Sequence, residues 1–182
     1  MFEQVLARPL FLIFPVMFGG IIHMLVVRYD WLRSLKVPVS QVAFGKNKTW
    51  RGFFIMPLSV MLGWAVMRLL NAHVLPITWT PDIMAQWWKV GPLVGLFYVV
   101  GELPNSFLKR RLGIREGALP EKGRWFFFLM DHLDSTITCV LIYMIFFGID
   151  KMTALFCIAW SVIIHTSVNY ALYLAGIRKN PF

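Results

Sequence analysis

The sequence is poor in acidic residues and in cysteine, and it has no long polar stretch. Nine Asp and Glu stand against 18 Lys and Arg in 182 residues, a formal charge of +9. Its two cysteines, Cys139 and Cys157, lie inside apolar runs. They lack the paired spacing of a disulfide framework or a zinc site and read as core thiols. The longest connection between apolar segments, residues 28–52, is too short to form the soluble basic face that nucleic-acid binding needs. The opening MFEQVLARPL has no basic n-region, and no small-residue cleavage site closes the first apolar run, so the first helix is expected to be retained. A Walker A ending, a nucleophile-His-Asp arrangement, internal repeats and low-complexity segments are also missing.

What remains is apolar. Hydrophobic residues make up 58% of the chain and the mean hydropathy is +0.65, against roughly 45–50% apolar, Gly included, in soluble domains. An all-α integral membrane protein of one domain, 1–182, follows. A helix needs about 20 mostly apolar residues to cross the hydrocarbon core. Five stretches approach this, at about 10–27, 53–70, 87–106, 125–149 and 152–177. Pro15 and Gly19-Gly20 mark a kink or a close helix contact in the first, and Arg68 sits where it can snorkel in the second. About two residues separate the last two stretches, which makes them an antiparallel hairpin.

Basic loops tend to stay in the cytoplasm. Residues 28–52, residues 107–124 and the tail carry fourteen Lys and Arg, and the opposite side carries four. The expectation is an N-terminus outside, a cytoplasmic C-terminus, and cytoplasmic loops at about 28–52 and 107–124. Trp79, Trp87 and Trp88 read as interfacial belt residues, and His73 as a surface histidine. Gly19, Gly20, Gly63, Gly91 and Gly95 suit tight helix contacts, within one chain or between two in a homodimer.

Residues 101–134 concentrate the misplaced charge. Glu102, Asp131 and Asp134 lie at or inside lipid-like sequence, where a carboxylate is costly unless it binds something. Asp131 and Asp134 are three apart, so a helix would project both from one face, about 5–6 Å apart at Cβ. One divalent ion can use both, and Mg2+ favours one or two carboxylates completed by water and substrate phosphates. The competing reading pairs them with Arg124 or Lys122 at the membrane surface. Between the carboxylates lie Lys109, Arg110, Arg111, Arg115, Lys122 and Arg124, more cations than they neutralise, which suits an anionic ligand. Asn105 and Ser106 add oxygen ligands or donors to phosphate.

The first loop ends Gly45-Lys46-Asn47-Lys48-Thr49-Trp50-Arg51-Gly52 and runs into a helix. Two glycines, three cations and a hydroxyl could surround phosphate oxygens at a helix N-terminus. A lipid-headgroup anchor is the other reading. His132 points about 100° away from Asp131 on a helix. His23, His165 and Asn169 read as interhelical hydrogen-bonding groups.

These segments together resemble the phosphatidate cytidylyltransferase superfamily. Ser106-Phe107-Leu108-Lys109-Arg110 is similar to the opening of its signature, Arg115-Glu116 stands where Lys-Asp would be, and Met130-Asp131-His132-Leu133-Asp134 looks like its end. His132 replaces an Arg, and Phe127-Phe128 replaces a glycine pair. The small five-helix CDP-archaeol synthase branch is closer. Its Gly-Lys-x-x-Thr-Trp-Arg-Gly loop matches Gly45 to Gly52. Its second loop is matched by Gly101-Glu102, Ser106 to Gly113, Pro120, and Asp131-His132-Leu133-Asp134, with Glu in place of Asp and His in place of Gln.

The resemblance implies transfer of CMP from CTP to a membrane lipid phosphate, an ether-lipid phosphate or phosphatidate, giving CDP-lipid and pyrophosphate. It implies Mg2+ at Asp131 and Asp134, with Glu102 as a further ligand or second-shell carboxylate, and Lys109 in the catalytic group. Lys46, Lys48, Thr49, Arg51, Asn105, Ser106, Arg110 and Arg111 would hold the phosphates. The setting would be the cytoplasmic face of the cell membrane. The alternative is a non-enzymatic lipid carrier or assembly protein whose basic loops contact membrane lipids.

Overall fold

The computed structural model describes residues 3–73 and 81–178. Trp79 falls outside them. After a short π-helical turn at Glu3–Ala7 come α1 (Arg8–Arg28), α2 (Gln41–Phe44), α3 (Trp50–His73), α4 (Pro81–Ala85), α5 (Trp87–Arg111), α6 (Arg124–Phe147) and α7 (Lys151–Leu174). There is no strand among the described residues, only an isolated antiparallel bridge between Pro38 and Thr49. His73 is exposed at the end of α3.

Four helical stretches are long and apolar enough to cross a membrane: Val5–Arg28, Trp50–Asn71, Arg124–Phe147 and Lys151–Leu174. This is an all-helical membrane protein. The remaining long helix, α5, has 25 residues but is diluted by Lys89, Glu102, Asn105 and its triple-basic end. It also runs past the expected limit at 106, so Lys109, Arg110 and Arg111 are helical. Cations in a last turn complement the negative end of the helix dipole.

α3 lies at the centre, packed most extensively against α5 and then α1. Small residues set those approaches. A Cβ on Gly91 would come 2.3 Å from the Met61 Cα, and one on Gly63 would come 2.7 Å from the Pro15 Cα. Without a hydrophobic drive between helices in lipid, such backbone contact supplies the packing. Around it, the fully buried Trp64 meets Phe11 edge-on at 5.5 Å and Tyr143 at 6.3 Å. Tyr143 donates to the Leu12 carbonyl at 3.2 Å.

α6 and α7 form the expected hairpin. Gly148 ends α6 with φ +62°, and Asp150 caps α7 by accepting from Thr153 N at 2.9 Å. The Thr153 bonds outweigh burial and hold the Asp150 carboxyl below its ordinary range, with Arg8 contributing from 3.4 Å. Trp160 Nε1 donates to the Val5 carbonyl at 2.8 Å, tying α7 to the N-terminal turn. At this end α1 and α7 are clamped together.

Candidate active site

The polar residues of α5 fall on one face. Tyr98, Glu102, Asn105 and Lys109 recur at helical spacing of three to four residues. α6 approaches this face where α5 has no side chain: a Cβ on Gly101 would meet Thr138 Oγ1 at 2.3 Å and the Asp134 carbonyl at 2.9 Å. That approach brings Asp131 and Asp134 against Asn105. The Asn105 Nδ2 donates to Asp131 Oδ1 at 2.7 Å and to Asp134 Oδ2 at 3.0 Å. Lys109 Nζ donates to both oxygens of Asp131 at 2.6 Å.

The loop before α3 supplies the third wall. Val39 N donates to the Lys48 carbonyl at 2.8 Å and Trp50 N to the Val37 carbonyl at 2.9 Å, so the chain doubles back and holds Lys48 in place. Lys48 forms an ion pair with Glu102. Burial opposes the ammonium, but the Glu102 carboxylate beside it prevails and holds Lys48 above the usual lysine range. Glu102 is therefore occupied by a cation.

Glu116 joins the two loops. It accepts from Lys46 N at 3.2 Å and pairs with Arg110 at 3.4 Å. Gly45, at φ +87°, leaves room for it, since a Cβ there would lie 2.8 Å from Glu116 Oε1. The Glu116 backbone N–H and that of Lys46 hold its carboxyl below the usual range.

These elements surround a cavity of about 980 Å³. Of the residues singled out by sequence, Lys48, Glu102, Asn105, Ser106, Asp131 and Asp134 line it. Lys109 reaches it through Asp131. Arg51 is buried elsewhere, donating to Asp30 Oδ1 and to the Trp31 carbonyl, both at 3.1 Å. Arg111 is exposed and stacks over Phe107 at 4.9 Å, Lys46 is exposed, and Thr49 is half-buried in the bridge. The cavity also reaches Tyr98, the loop and tail cations Arg28, Lys36 and Arg178, and the helix residues His23, His132, His165 and Asn169. Tyr98 had a signal, since it sits one helical turn before Glu102. His132 is buried with its ring 4.9 Å from that of His165, and its Nδ1 lies 2.7 Å from the Phe128 carbonyl.

The donor set fits a hard cation. Asp134 accepts from Asn105 and from Ser135 N at 2.6 Å, and no cation is bonded to it among the described residues. Asn105 Oδ1 is buried without a hydrogen-bond partner. Asp131 is matched by Lys109 as Glu102 is by Lys48, so Asp134 is the carboxylate of the three with no bonded cation, and it and the unpartnered Asn105 oxygen are oxygens of the kind Mg2+ takes from protein. Among the described residues no three acidic, His or Cys side chains cluster as a metal site, and Glu102, tied to Lys48, does not make up such a trio.

A family model described as CarS-like: CDP-archaeol synthase matches residues 5–182. The chain belongs to that family. It is 33% identical to the CDP-archaeol synthase of Pyrobaculum aerophilum over 86 residues, which is 46% of this chain and 47% of that one. It is 28% identical to the Staphylothermus marinus CDP-archaeol synthase over 74% of this chain and 69% of that one. For the Saccharolobus islandicus CDP-archaeol synthase the figures are 27%, 76% and 73%. No solved structure matches the chain. Membership of the CDP-archaeol synthase family carries the reaction class: CTP-dependent cytidylyl transfer to a lipid phosphate.

Proposed function

We propose that the chain transfers CMP from CTP to an isoprenoid ether-lipid phosphate, with Mg2+, at the cytoplasmic face of the membrane it spans. The names of the relatives support the ether lipid. The charge count supports a cytoplasmic site, and α5 serves as the fifth crossing, its polar face turned to the cavity. The observation that carries the reading is the convergence of Asp131, Asp134, Asn105 and Lys109 on the wall of a cavity shared with Lys48.

In the reaction, an oxygen of the lipid phosphate forms a bond to the α-phosphorus of CTP, the bond to the bridging oxygen breaks, and pyrophosphate leaves. Most of the barrier to such a transfer is lowered by positioning and by neutralising charge. A lipid phosphate is anionic near neutral pH, so no strong base is needed. Asp131 and Asp134 would hold Mg2+, which when bound neutralises charge on the triphosphate. Lys109 fixes the Asp131 carboxylate and adds positive charge beside it. Lys48, held by Glu102, presents an ammonium to the cavity where phosphate oxygens can reach it. Glu102 in this scheme positions Lys48 and does not touch the metal. Arg51 holds the loop through Asp30, and Lys46 in the first loop and Arg110 at the end of α5, both joined to Glu116, would meet the nucleotide.

The test uses purified protein in vesicles, CTP labelled at the α-phosphate, and either an isoprenyl diether glycerol phosphate or phosphatidate. Label entering the organic phase with the ether lipid is the expected result. Label only with phosphatidate would overturn the acceptor assignment, and label with neither would overturn the activity.

A further inference from the structure

The cavity is not polar throughout. Away from the carboxylates it continues between α1 and α7, where Ile13, Met17 and Ile21 face Ile164, Val168 and Leu172. Each helix contributes a stripe at three- or four-residue spacing, so the two stripes run lengthwise along a single slot. On α7 the lining runs from Ser161 to Leu172, about 16 Å at a rise of 1.5 Å per residue. That is about half of the ~30 Å hydrocarbon core, the depth of one lipid leaflet. At its inner end the slot abuts a further pocket of about 40 Å³ that includes Leu12, Val140 and Cys157 and shares Ile13, Val16, Thr136 and Ser161 with it.

Two features suit this slot to an amphiphile with one anionic end. Its cytoplasmic end carries Arg178, just past α7, and Arg28, at the end of α1. Arg178 is half-buried, and no carboxylate among the described residues pairs with it. Burial draws its guanidinium below the ordinary arginine range, as for a cation short of a counter-ion. Midway along α1, Gly20 lines the cavity, and a Cβ placed there would meet nothing within 4 Å. Its neighbour Gly19 is different, because a Cβ there would come 2.6 Å from Val60. Gly19 serves packing, whereas Gly20 leaves open space.

We infer that the slot between α1 and α7 is the acceptor-lipid site, with one chain lying past Gly20 and the phosphate held at Arg178. This rests on the lipid-phosphate transfer proposed above and adds the residues that choose the acceptor. It places the acceptor phosphate at the C-terminal end of α7 and leaves Lys48 and Lys109 for the nucleotide. A hydrocarbon chain fills the apolar walls, and the arginine gains the anion its burial calls for. Gly20 sets the width of the slot and hence how bulky a chain it accepts.

The experiment compares the full-length wild type, Gly20→Leu and Arg178→Ala in vesicles, with long-chain and short-chain isoprenyl diether glycerol phosphates as acceptors. CTP binding is measured separately by calorimetry. Because a Cβ at this position meets nothing within 4 Å and the residue lines the cavity, so that the rest of the side chain has space to enter, Gly20→Leu should fold. Its preference for the long-chain over the short-chain acceptor should fall by at least about 10-fold, with CTP affinity moving by less than about two-fold. Arg178→Ala should raise KM for both acceptors by about 10-fold or more, the loss of one charge-assisted contact, again with CTP affinity retained. An unchanged chain preference in Gly20→Leu overturns the slot, and an unchanged acceptor KM in Arg178→Ala overturns its phosphate end. A wild type that transfers to neither acceptor overturns the activity, and the acceptor site falls with it.

Discussion

Asn105 and Asp134 are joined by a 3.0 Å hydrogen bond between helices α5 and α6, and the same amide nitrogen lies 2.7 Å from Asp131. One side chain therefore spans both aspartates. Its oxygen, buried and without a partner, is the amide's remaining capacity. The amide thus ties the two carboxylates together across α5 and α6 through its nitrogen, and its oxygen faces away from them.

Replacing Asn105 with Leu, of similar volume, should remove both bonds. Transfer should fall about 100-fold or more, as when a preorganised polar group is deleted from a reaction centre, and the Mg2+ concentration for half-maximal rate should rise. The check is a rate titration with Mg2+ at saturating CTP. A rate near wild type would show that the amide only packs.

Lys48 and Glu102 are a largely buried pair, with side chains 23% and 26% exposed. Removing one partner leaves the other charge stranded, which is worse than removing both. Glu102→Gln and Lys48→Met should each lower the thermal midpoint by several degrees, and the double variant should recover part of that loss, a coupling of about 1 kcal/mol or more. Activity should not recover in the double variant, because the ammonium is gone. Additive midpoints would contradict the pairing.

How much of this was legible follows from where each partner sits in the chain. The helices and the hairpin were visible because apolar runs and a short connection are local properties. Asp131 and Asp134 were visible because three-residue spacing places them on one face whatever surrounds them. The partner of Glu102 was not, since Lys48 lies 54 residues away and meets it only through the turn-back between Pro38 and Thr49. Arg51 looked like a phosphate ligand by type, yet the backbone at Asp30, with φ +51°, turns that carboxylate towards it. Arg28 and Arg178 counted only as positive-inside charge, because the slot they close is made by two helices at opposite ends of the chain.

Arg51 should accordingly act on stability. It donates to Asp30 and to the Trp31 carbonyl, so Arg51→Lys loses the planar fork that serves both. The thermal midpoint should fall, and CTP affinity in the folded fraction should stay within about three-fold of wild type. Lys36 and then Arg33, with Arg51, hold the Asp30 carboxyl at about 2, below its ordinary 3.8. A depressed carboxylate stabilises the fold above its unfolded pKa and stops doing so as pH falls through its folded one. The loop's contribution should thus be constant above about pH 4 and fade towards pH 2, as read by hydrogen exchange at residues 30–36. Fading near neutral pH would contradict the ion-pair arrangement.

The glycines divide by what they face. Gly91→Ala would bring a carbon 2.3 Å from the Met61 Cα, an overpacking that costs about 1–3 kcal/mol and lowers the midpoint by at least about 2–4 °C in a chain of this size. Gly20→Ala meets nothing and should leave the midpoint within about 1 °C of wild type. Equal effects at the two positions would mean that α3 and α5 do not pack as described.

The most direct test of the reaction centre is the transfer of label from α-phosphate-labelled CTP to an isoprenyl diether glycerol phosphate by Asp134→Asn, beside wild type and with Mg2+ present. Asparagine keeps the shape and removes only the charge, so the variant should fold with the wild-type midpoint to within a few degrees and transfer at least about 100-fold more slowly. Undiminished transfer by a folded Asp134→Asn would contradict the assignment of Asp131 and Asp134 as the site of reaction.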